Sequence, residues 1–381
     1  MKVKIISYSL VLISFLSNAQ VINQAIEFEG LNRTHMLFLP TNMEDNLPLV
    51  LNLHGYTSNS FEQLFYSSMA NVAEENNFVV VFPDGTTDQF GATFWNSEIL
   101  EENVNDLGYL EALIDTMIEN YNINPDRVYM CGMSNGGFMS YYSACEMTDK
   151  IAAIASVTGT MNNDIFDNCN PTRSIPILEI HGTADATVPY NGASNAGSFQ
   201  SMIATEAVLD FWVNHNNCTL EFEEEMEDIS LTDLSTVTHF KYSGGDNGSS
   251  VEHYRINNGG HTWPGAALAL PGVVTNYDII ASEVIWDFFK QYTIDGLLEV
   301  EELPDLKSLD IMPNPMLAFT NIKSSTEMES LCIYDLQGKR VLNDFVGGFE
   351  YTLDRGMLNS GLYIVEVKTG GQSVYQKLLV R

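Results

Sequence analysis

Positive charge is scarce in this chain: 17 Lys and Arg stand against 50 Asp and Glu among 381 residues, a formal charge of −33. So acidic a surface repels phosphate backbones and anionic lipid headgroups, which excludes nucleic-acid binding as a first reading. Cysteine is sparse as well, five residues with no CxxC or Cys/His spacing, so no zinc site is written into the sequence. After residue 20 no segment approaches the ~18 uninterrupted apolar residues of a membrane helix, and no membrane span is expected. With 45% hydrophobic side chains, 27 Gly and 12 Pro, the composition is neither disordered nor fibrous. The length suffices for one large core and a small companion domain.

The acidity is unevenly spread. Residues 21–305 hold 7 basic and 42 acidic side chains, whereas residues 306–381 hold 8 of each. That break suggests a domain boundary near 305. Residues 1–19 read Lys2, Lys4, an apolar stretch over 5–16 and a small-residue end at Ser17-Asn18-Ala19, the order of a secretory signal peptide. The mature protein is therefore expected outside the cytoplasm, secreted or at the cell surface. In such a compartment Cys145, Cys169 and Cys218 can pair, and the sequence does not choose among them, while Cys131 and Cys332 lie in strand-like runs as small buried hydrophobes.

Residues 21–40 alternate like a hairpin around Gly30. The runs 47–53, 78–82, 127–131, 151–157 and 175–180 have strand length without polar alternation, as strands covered on both faces do. Between them, 61–75, 106–121, 136–146 and 201–214 carry helical spacing of apolar residues. This alternation predicts an α/β fold, a doubly wound, mainly parallel sheet. The stretch 221–228 holds six acids in eight residues and reads as a solvated face or loop, since it lacks the ligand spacing of a calcium loop. Residues 293–308 read as a linker. Beyond it, 320–323, 331–336, 349–353, 361–367 and 374–380 are short strands, with turns at 337–339 and 369–372, which predicts a small all-β sandwich over 309–381.

Arg127-Val128-Tyr129-Met130-Cys131-Gly132-Met133-Ser134-Asn135-Gly136-Gly137 contains G-x-S-x-G between a strand-like and a helix-like run. That context is the one a nucleophile elbow needs: a serine on a strained strand-to-helix turn, flanked by glycines that let neighbouring backbones approach. A serine hydroxyl is a weak nucleophile, so a base and an orienting acid must follow, in the chain order Ser, acid, His. Of His215, His239, His253 and His261, the last lies in a Gly- and Pro-rich loop after the strand-like 251–256 and is the expected base. Asp185, just beyond the run 175–180, is the expected acid, with Asp164, Asp167 and Asp210 behind it. The oxyanion needs two backbone donors: Asn135, next to the nucleophile, and Tyr56 in Leu53-His54-Gly55-Tyr56-Thr57, with Thr57 as fallback and as a substrate contact. His54 and His181 read as loop braces. Trp263 is expected to stack on an aromatic or sugar ring in the cleft and Trp95 to line the same cleft, whereas Trp212 and Trp286 read as core.

Six segments carry a family resemblance in register. They are Leu53-His54-Gly55-Tyr56-Thr57, Val81-Phe82-Pro83-Asp84-Gly85, the elbow, Ala152-Ala153-Ile154-Ala155, His181-Gly182-Thr183-Ala184-Asp185 and Gly260-His261-Thr262-Trp263-Pro264. From about residue 30 to about residue 292, within an expected esterase domain of 20–292, the chain resembles the secreted esterases that include polyhydroxybutyrate depolymerases, feruloyl esterases and acetylxylan esterases. Tyr56 stands where that family often has Cys or Gly. The resemblance implies an α/β-hydrolase core, no metal or organic cofactor, and ester hydrolysis through an acyl-enzyme. In the tail, Met312-Pro313-Asn314-Pro315, Ile333-Tyr334-Asp335-Leu336-Gln337-Gly338-Lys339, Leu358-Asn359-Ser360-Gly361-Leu362-Tyr363 and Gln376-Lys377-Leu378-Leu379-Val380 resemble the C-terminal sorting domain of the type IX (Por) secretion system. That implies the type IX machinery as a partner and no catalytic part for the tail. The expectation is thus a serine carboxylic-ester hydrolase acting on feruloyl or acetyl esters of cell-wall polysaccharide. The alternatives are a polyester depolymerase, a peptidase of related fold and a non-catalytic glycan-binding protein.

Overall fold

The computed structural model describes residues 20–98, 104–194, 201–268, 272–298, 309–335, 339–356, 358–369 and 372–381. The signal-like segment 1–19, most of the predicted linker and parts of the two tail turns (337–338 and 370–371) lie outside them. The backbone divides after Leu298 into two compact units.

The first unit is built on a ten-stranded sheet. In chain order its strands are β1 (Gln20–Phe28), β2 (Leu31–Leu39), β3 (Leu47–Leu53), β4 (Val79–Pro83), β7 (Ile123–Met133), β8 (Ala153–Val157), β9 (Ile177–Gly182), β10 (Leu220–Glu225), β11 (Thr236–Ser243) and β12 (Val251–Asn257). A two-stranded ribbon, β5 (Thr86–Thr87) with β6 (Thr93–Phe94), stands apart from it. The spatial order is β1-β2-β4-β3-β7-β8-β9-β12-β11-β10. The six central strands run parallel, and two antiparallel strands close each margin.

Every residue of β3, β4, β8 and β9 is buried, because helices cover both faces. Side chains alternate between the two layers. Leu49, Leu51 and Leu53 pack with α3 (Asp106–Tyr121), α4 (Asn135–Glu146) and α6 (Thr205–His215), whereas Val50 packs with α1 (Ser60–Ser67), α2 (Met69–Asn76) and α7 (Ala281–Phe289). A short α5 (Asn163–Asn168) lies between β8 and β9. The disulfide joins Cys145 to Cys169, tying the end of α4 to the residue after α5, and leaves Cys218 free.

Two expectations need correction and one is made more specific. The helix predicted over 61–75 is two helices, because Ser68 turns left-handed at φ 54° and breaks it into α1 and α2. The acidic run at 221–228 is solvated as expected, and begins as a strand, β10, whose six residues are all exposed at the margin of the sheet. Residues 293–298, assigned to the linker, belong to a hairpin of β13 (Tyr292–Thr293) and β14 (Gly296–Leu297), held by Ile294 N–H donating to Asp126 O.

The second unit is antiparallel: β15 (Asp310–Met312), β16 (Phe319–Tyr334), β17 (Arg340–Asp354), β18 (Gly361–Thr369) and β19 (Gln372–Val380). The predicted strands 320–323 and 331–336 are the two halves of one β16. That strand meets β15 with its first half and β18 with its second, and register shifts bend it against β17 between the halves. The sheet thus folds into a small sandwich around Ile322, Leu331, Ile333, Val365, Val367 and Leu378.

Candidate active site

The carboxyl ends of β7, β9 and β12 lie side by side in the sheet, separated only by β8 between β7 and β9. Each leads directly into one of the predicted residues. Ser134 follows β7 and caps α4 with φ 54° and ψ −118°, a conformation outside the ordinary regions for a residue with a side chain. Its N–H donates to Val157 O at 2.9 Å, which ties the turn to β8. The flanking glycines make this turn possible: a Cβ on Gly132 would stand 2.5 Å from the Gly136 carbonyl carbon, and one on Gly136 would stand 2.4 Å from Leu53 O.

After β12, the His261 ring meets Asp185, which follows β9, with Nδ1 to Oδ2 at 2.7 Å. The other Asp185 oxygen, Oδ1, accepts the N–H groups of Thr187 at 2.8 Å and Val188 at 2.9 Å. Burial opposes charge on Asp185, yet the hydrogen bonds of His181 and His261 outweigh it and hold the carboxyl far below the usual range. Ser134, His261 and the Gly55–Ser58 loop line one cavity of about 830 Å³. The loop reaches Ser134 closely, since a Cβ on Gly55 would lie 3.5 Å from Ser134 Cβ.

Asn135 is the first residue of α4, where N–H groups have no intrahelical acceptor. Its side chain is fully used: Oδ1 accepts from Trp95 N–H at 2.7 Å, and Nδ2 donates to Trp95 O and Ser97 Oγ. Tyr56 lines the cavity and donates its hydroxyl to Asp88 Oδ2 at 2.6 Å, a bond that pushes the phenol up to about 12. Thr57 also lines the cavity, but its N–H donates to Thr93 O at 2.8 Å and cannot serve as the fallback donor.

The two tryptophans are not in the cleft. Trp95 is fully buried, with its indole N–H on His54 O at 3.1 Å and its ring against that histidine. Trp263 is 1% exposed, its indole N–H on Ser282 Oγ of α7. Both expectations fail for the same reason: each indole N–H has an internal partner, and the ring fills core volume.

The remaining histidines occupy other places. His253 lies inside β12, bonded to Glu179 O and Tyr190 Oη, and burial lowers it to about 3. His215 ends α6 on Arg173 O, and His239 pairs with Glu252 across β11 and β12. His54 braces the loop, its Nε2 accepting from Gly85 N–H at 2.9 Å.

His181 braces a loop and does more. It sits between two carboxylates, Nδ1 2.9 Å from Glu179 Oε1 and Nε2 3.5 Å from Asp185 Oδ2, and Nε2 also meets Val188 O at 2.9 Å. Burial would lower this imidazole, but the Asp185 and Glu179 bonds prevail and raise it to about 10. Tyr141 Oη donates to Glu179 Oε2 at 2.9 Å, extending the row to α4. Sequence reasoning missed Glu179: the only signal was an acid inside an otherwise apolar strand.

Residues 40–232, just over half of the chain, match the phospholipase/carboxylesterase family. The chain belongs to that family. By that membership the α/β unit is a serine esterase. Residues 310–381 match the secretion system C-terminal sorting domain.

Among relatives, a bifunctional acetylxylan esterase/xylanase of Neocallimastix patriciarum is 27% identical over 73% of the chain and 36% of its own length. A feruloyl esterase B of Piromyces equi is 26% identical over 65% of the chain and 42% of its own length. A poly(3-hydroxyalkanoate) depolymerase C of Paucimonas lemoignei is 23% identical over 59% of the chain and 57% of its own length. The chain thus spans between a third and somewhat over half of the length of these relatives.

Proposed function

We propose that the protein is an exported serine esterase in which Ser134 Oγ attacks the ester carbonyl and His261 Nε2 takes its proton. Asp185 fixes the ring so that Nδ1 carries the hydrogen and Nε2 faces the cavity, and it stabilises the imidazolium that forms. The N–H groups of Asn135 and Tyr56 receive the oxyanion. His261 then returns the proton to the leaving alcohol, and water admitted to the acyl-enzyme repeats the sequence to free the acid. The observation that carries this reading is the 2.7 Å pairing of His261 Nδ1 with Asp185 Oδ2 at the rim of the cavity that Ser134 lines. In such sites an oxyanion donor accounts for about 10²- to 10³-fold in kcat.

The substrates proposed are feruloyl or acetyl esters of cell-wall polysaccharide, on the strength of the acetylxylan and feruloyl esterase relatives. Hydrolysis of a polyester is the second reading, favoured by the depolymerase relative. Residues 1–19 serve as a signal peptide and residues 309–381 as the address read by the type IX machinery, a role supported by the sorting-domain match. The test is product release from methyl ferulate, acetylated xylan and polyhydroxybutyrate by the full chain, with Ser134→Ala as the blank. Turnover on at least one ester, lost in Ser134→Ala with the fold retained, is expected; survival of most activity in that variant refutes the mechanism.

A further inference from the structure

Helix α1 turns its two largest apolar side chains outward. Its buried residues are Ser60, Gln63, Leu64 and Ser67, whereas Phe61 and Phe65 stand 57% and 61% exposed. An ordinary surface helix turns its apolar stripe to the core and its polar residues to water. Here the inner face is held by hydrogen bonds: Gln63 Nε2 donates to Asn52 Oδ1 at 2.7 Å, Asn52 Nδ2 to Ser67 Oγ at 3.1 Å, and Ser67 Oγ to Gln63 O at 2.7 Å. The outward orientation is therefore fixed by a satisfied buried network on β3, and the helix cannot roll to hide its rings.

The two rings contact each other, centroids 4.7 Å apart, and both line the cavity that contains Ser134 and His261. Leu268, 69% exposed, adds an apolar wall to the same cavity. The loop that lies against Ser134 runs straight into α1, so the rings are carried on the chain segment nearest the nucleophile. Tyr66 Oη accepts from Trp263 N–H at 3.2 Å, which joins the same helix to the His261 loop.

We propose that Phe61 and Phe65 form the binding subsite for a planar aromatic group of the substrate ester, which lies on the α1 face while its carbonyl carbon sits at Ser134. The proposal rests on the esterase reading and narrows it: an acetyl group has no surface with which to use such a wall, whereas a hydroxycinnamoyl ring does. Aromatic rings prefer offset or edge-on neighbours at centroid separations of about 4.5–7 Å, and two tilted phenyl rings offer that geometry to a third.

The test is the double variant Phe61→Ala/Phe65→Ala. Both side chains are exposed and outside the core, so the fold is expected to persist. The ratio of kcat/KM for methyl ferulate to that for ethyl acetate is expected to fall about tenfold, mainly through KM. Phenyl acetate, with its ring on the alcohol, tells which side of the ester uses the wall: a fall confined to methyl ferulate assigns the acyl side, and one confined to phenyl acetate the alcohol side. Unchanged ratios for both aromatic esters overturn the subsite, whether overall activity falls or not.

Calorimetric titration of methyl ferulate into Ser134→Ala, with and without the two alanines, separates the subsite from the mechanism. Weaker binding on loss of the rings supports the subsite even where no ester is hydrolysed. Equal binding refutes it.

Discussion

Glu179→Gln keeps the shape of a side chain and removes a carboxyl from the buried row Tyr141, Glu179, His181, Asp185; burial pushes that carboxyl up, against the pull of the His181 and Tyr141 bonds that favour its charged form. In the wild type the His181 ring is enclosed by two carboxylates, at 2.9 Å from Glu179 and 3.5 Å from Asp185. Further groups surround it: Thr205 Oγ1 of α6 at 3.4 Å, the Tyr190 ring edge-on, and His253 and Arg255 of β12 on the far side. Breaking a buried pair by neutralising one member costs about 3–5 kcal/mol, because the other charge stays behind without its partner. For a domain of this size each kcal/mol corresponds to about 2–4 °C, so the melting temperature should fall by about 6–20 °C.

The loss should also depend on pH. His181 binds its proton more tightly when folded, so its contribution is complete below the unfolded value of about 6.5. As pH rises through that value the unfolded chain releases the proton while the native state keeps it, and the contribution has gone once pH passes about 10. Thermal unfolding followed by near-ultraviolet circular dichroism at pH 6, 8 and 9.5 reads both effects. A useful contrast is Asp115→Asn, which removes the exposed partner of Lys150 and should cost less than about 1 kcal/mol. A Glu179→Gln protein melting within about 2 °C of the wild type at pH 6 would refute the buried cation.

Asp185→Asn should lower kcat by about 10³- to 10⁴-fold with little change in KM, since the amide favours the wrong His261 tautomer; steady-state kinetics check it, and a loss under tenfold would remove Asp185 from the mechanism. Reduction of Cys145–Cys169 opens a loop of 24 residues in sequence separation, and the double serine variant should lose about 3 kcal/mol in denaturant titration without a change in ester preference. Trp263→Phe should destabilise by about 1–2 kcal/mol, because Ser282 loses an indole donor in a buried setting, and should leave the ratio of aromatic to acetyl turnover as it was. A changed ratio would return Trp263 to the cleft.

The parallel core was legible because its strands are unbroken apolar runs of strand length, set apart by their shortness from the longer helical patterns between. The elbow was legible for a different reason: glycines at 132 and 136 are demanded by close backbone approach, so local sequence carries the geometry. What periodicity could not show is which way a helix faces. The apolar spacing of 61–75 suggested core contact, yet Gln63 and Ser67 won the inner face through bonds to Asn52, a residue remote in the pattern. The tryptophans failed similarly, since proximity in sequence to His261 or to a glycine-rich loop does not reveal whether an indole N–H finds an internal acceptor. In the tail, two short apolar runs looked like two strands because β16 bends between them.

Strand β10 has a consequence for the company the molecule keeps. A strand with no neighbour on its outer side, as β10 has none among the described residues, offers a row of free amide and carbonyl groups to any extended chain, including a second copy of itself. Here four of the six residues on that margin are glutamates, at 221, 223, 224 and 225. Two copies approaching margin to margin would bring these carboxylates against one another, and the repulsion rises as the amides near bonding distance. Part of the chain's excess negative charge thus acts as a barrier to sheet extension, keeping that open side of the fold from becoming the seed of a fibre.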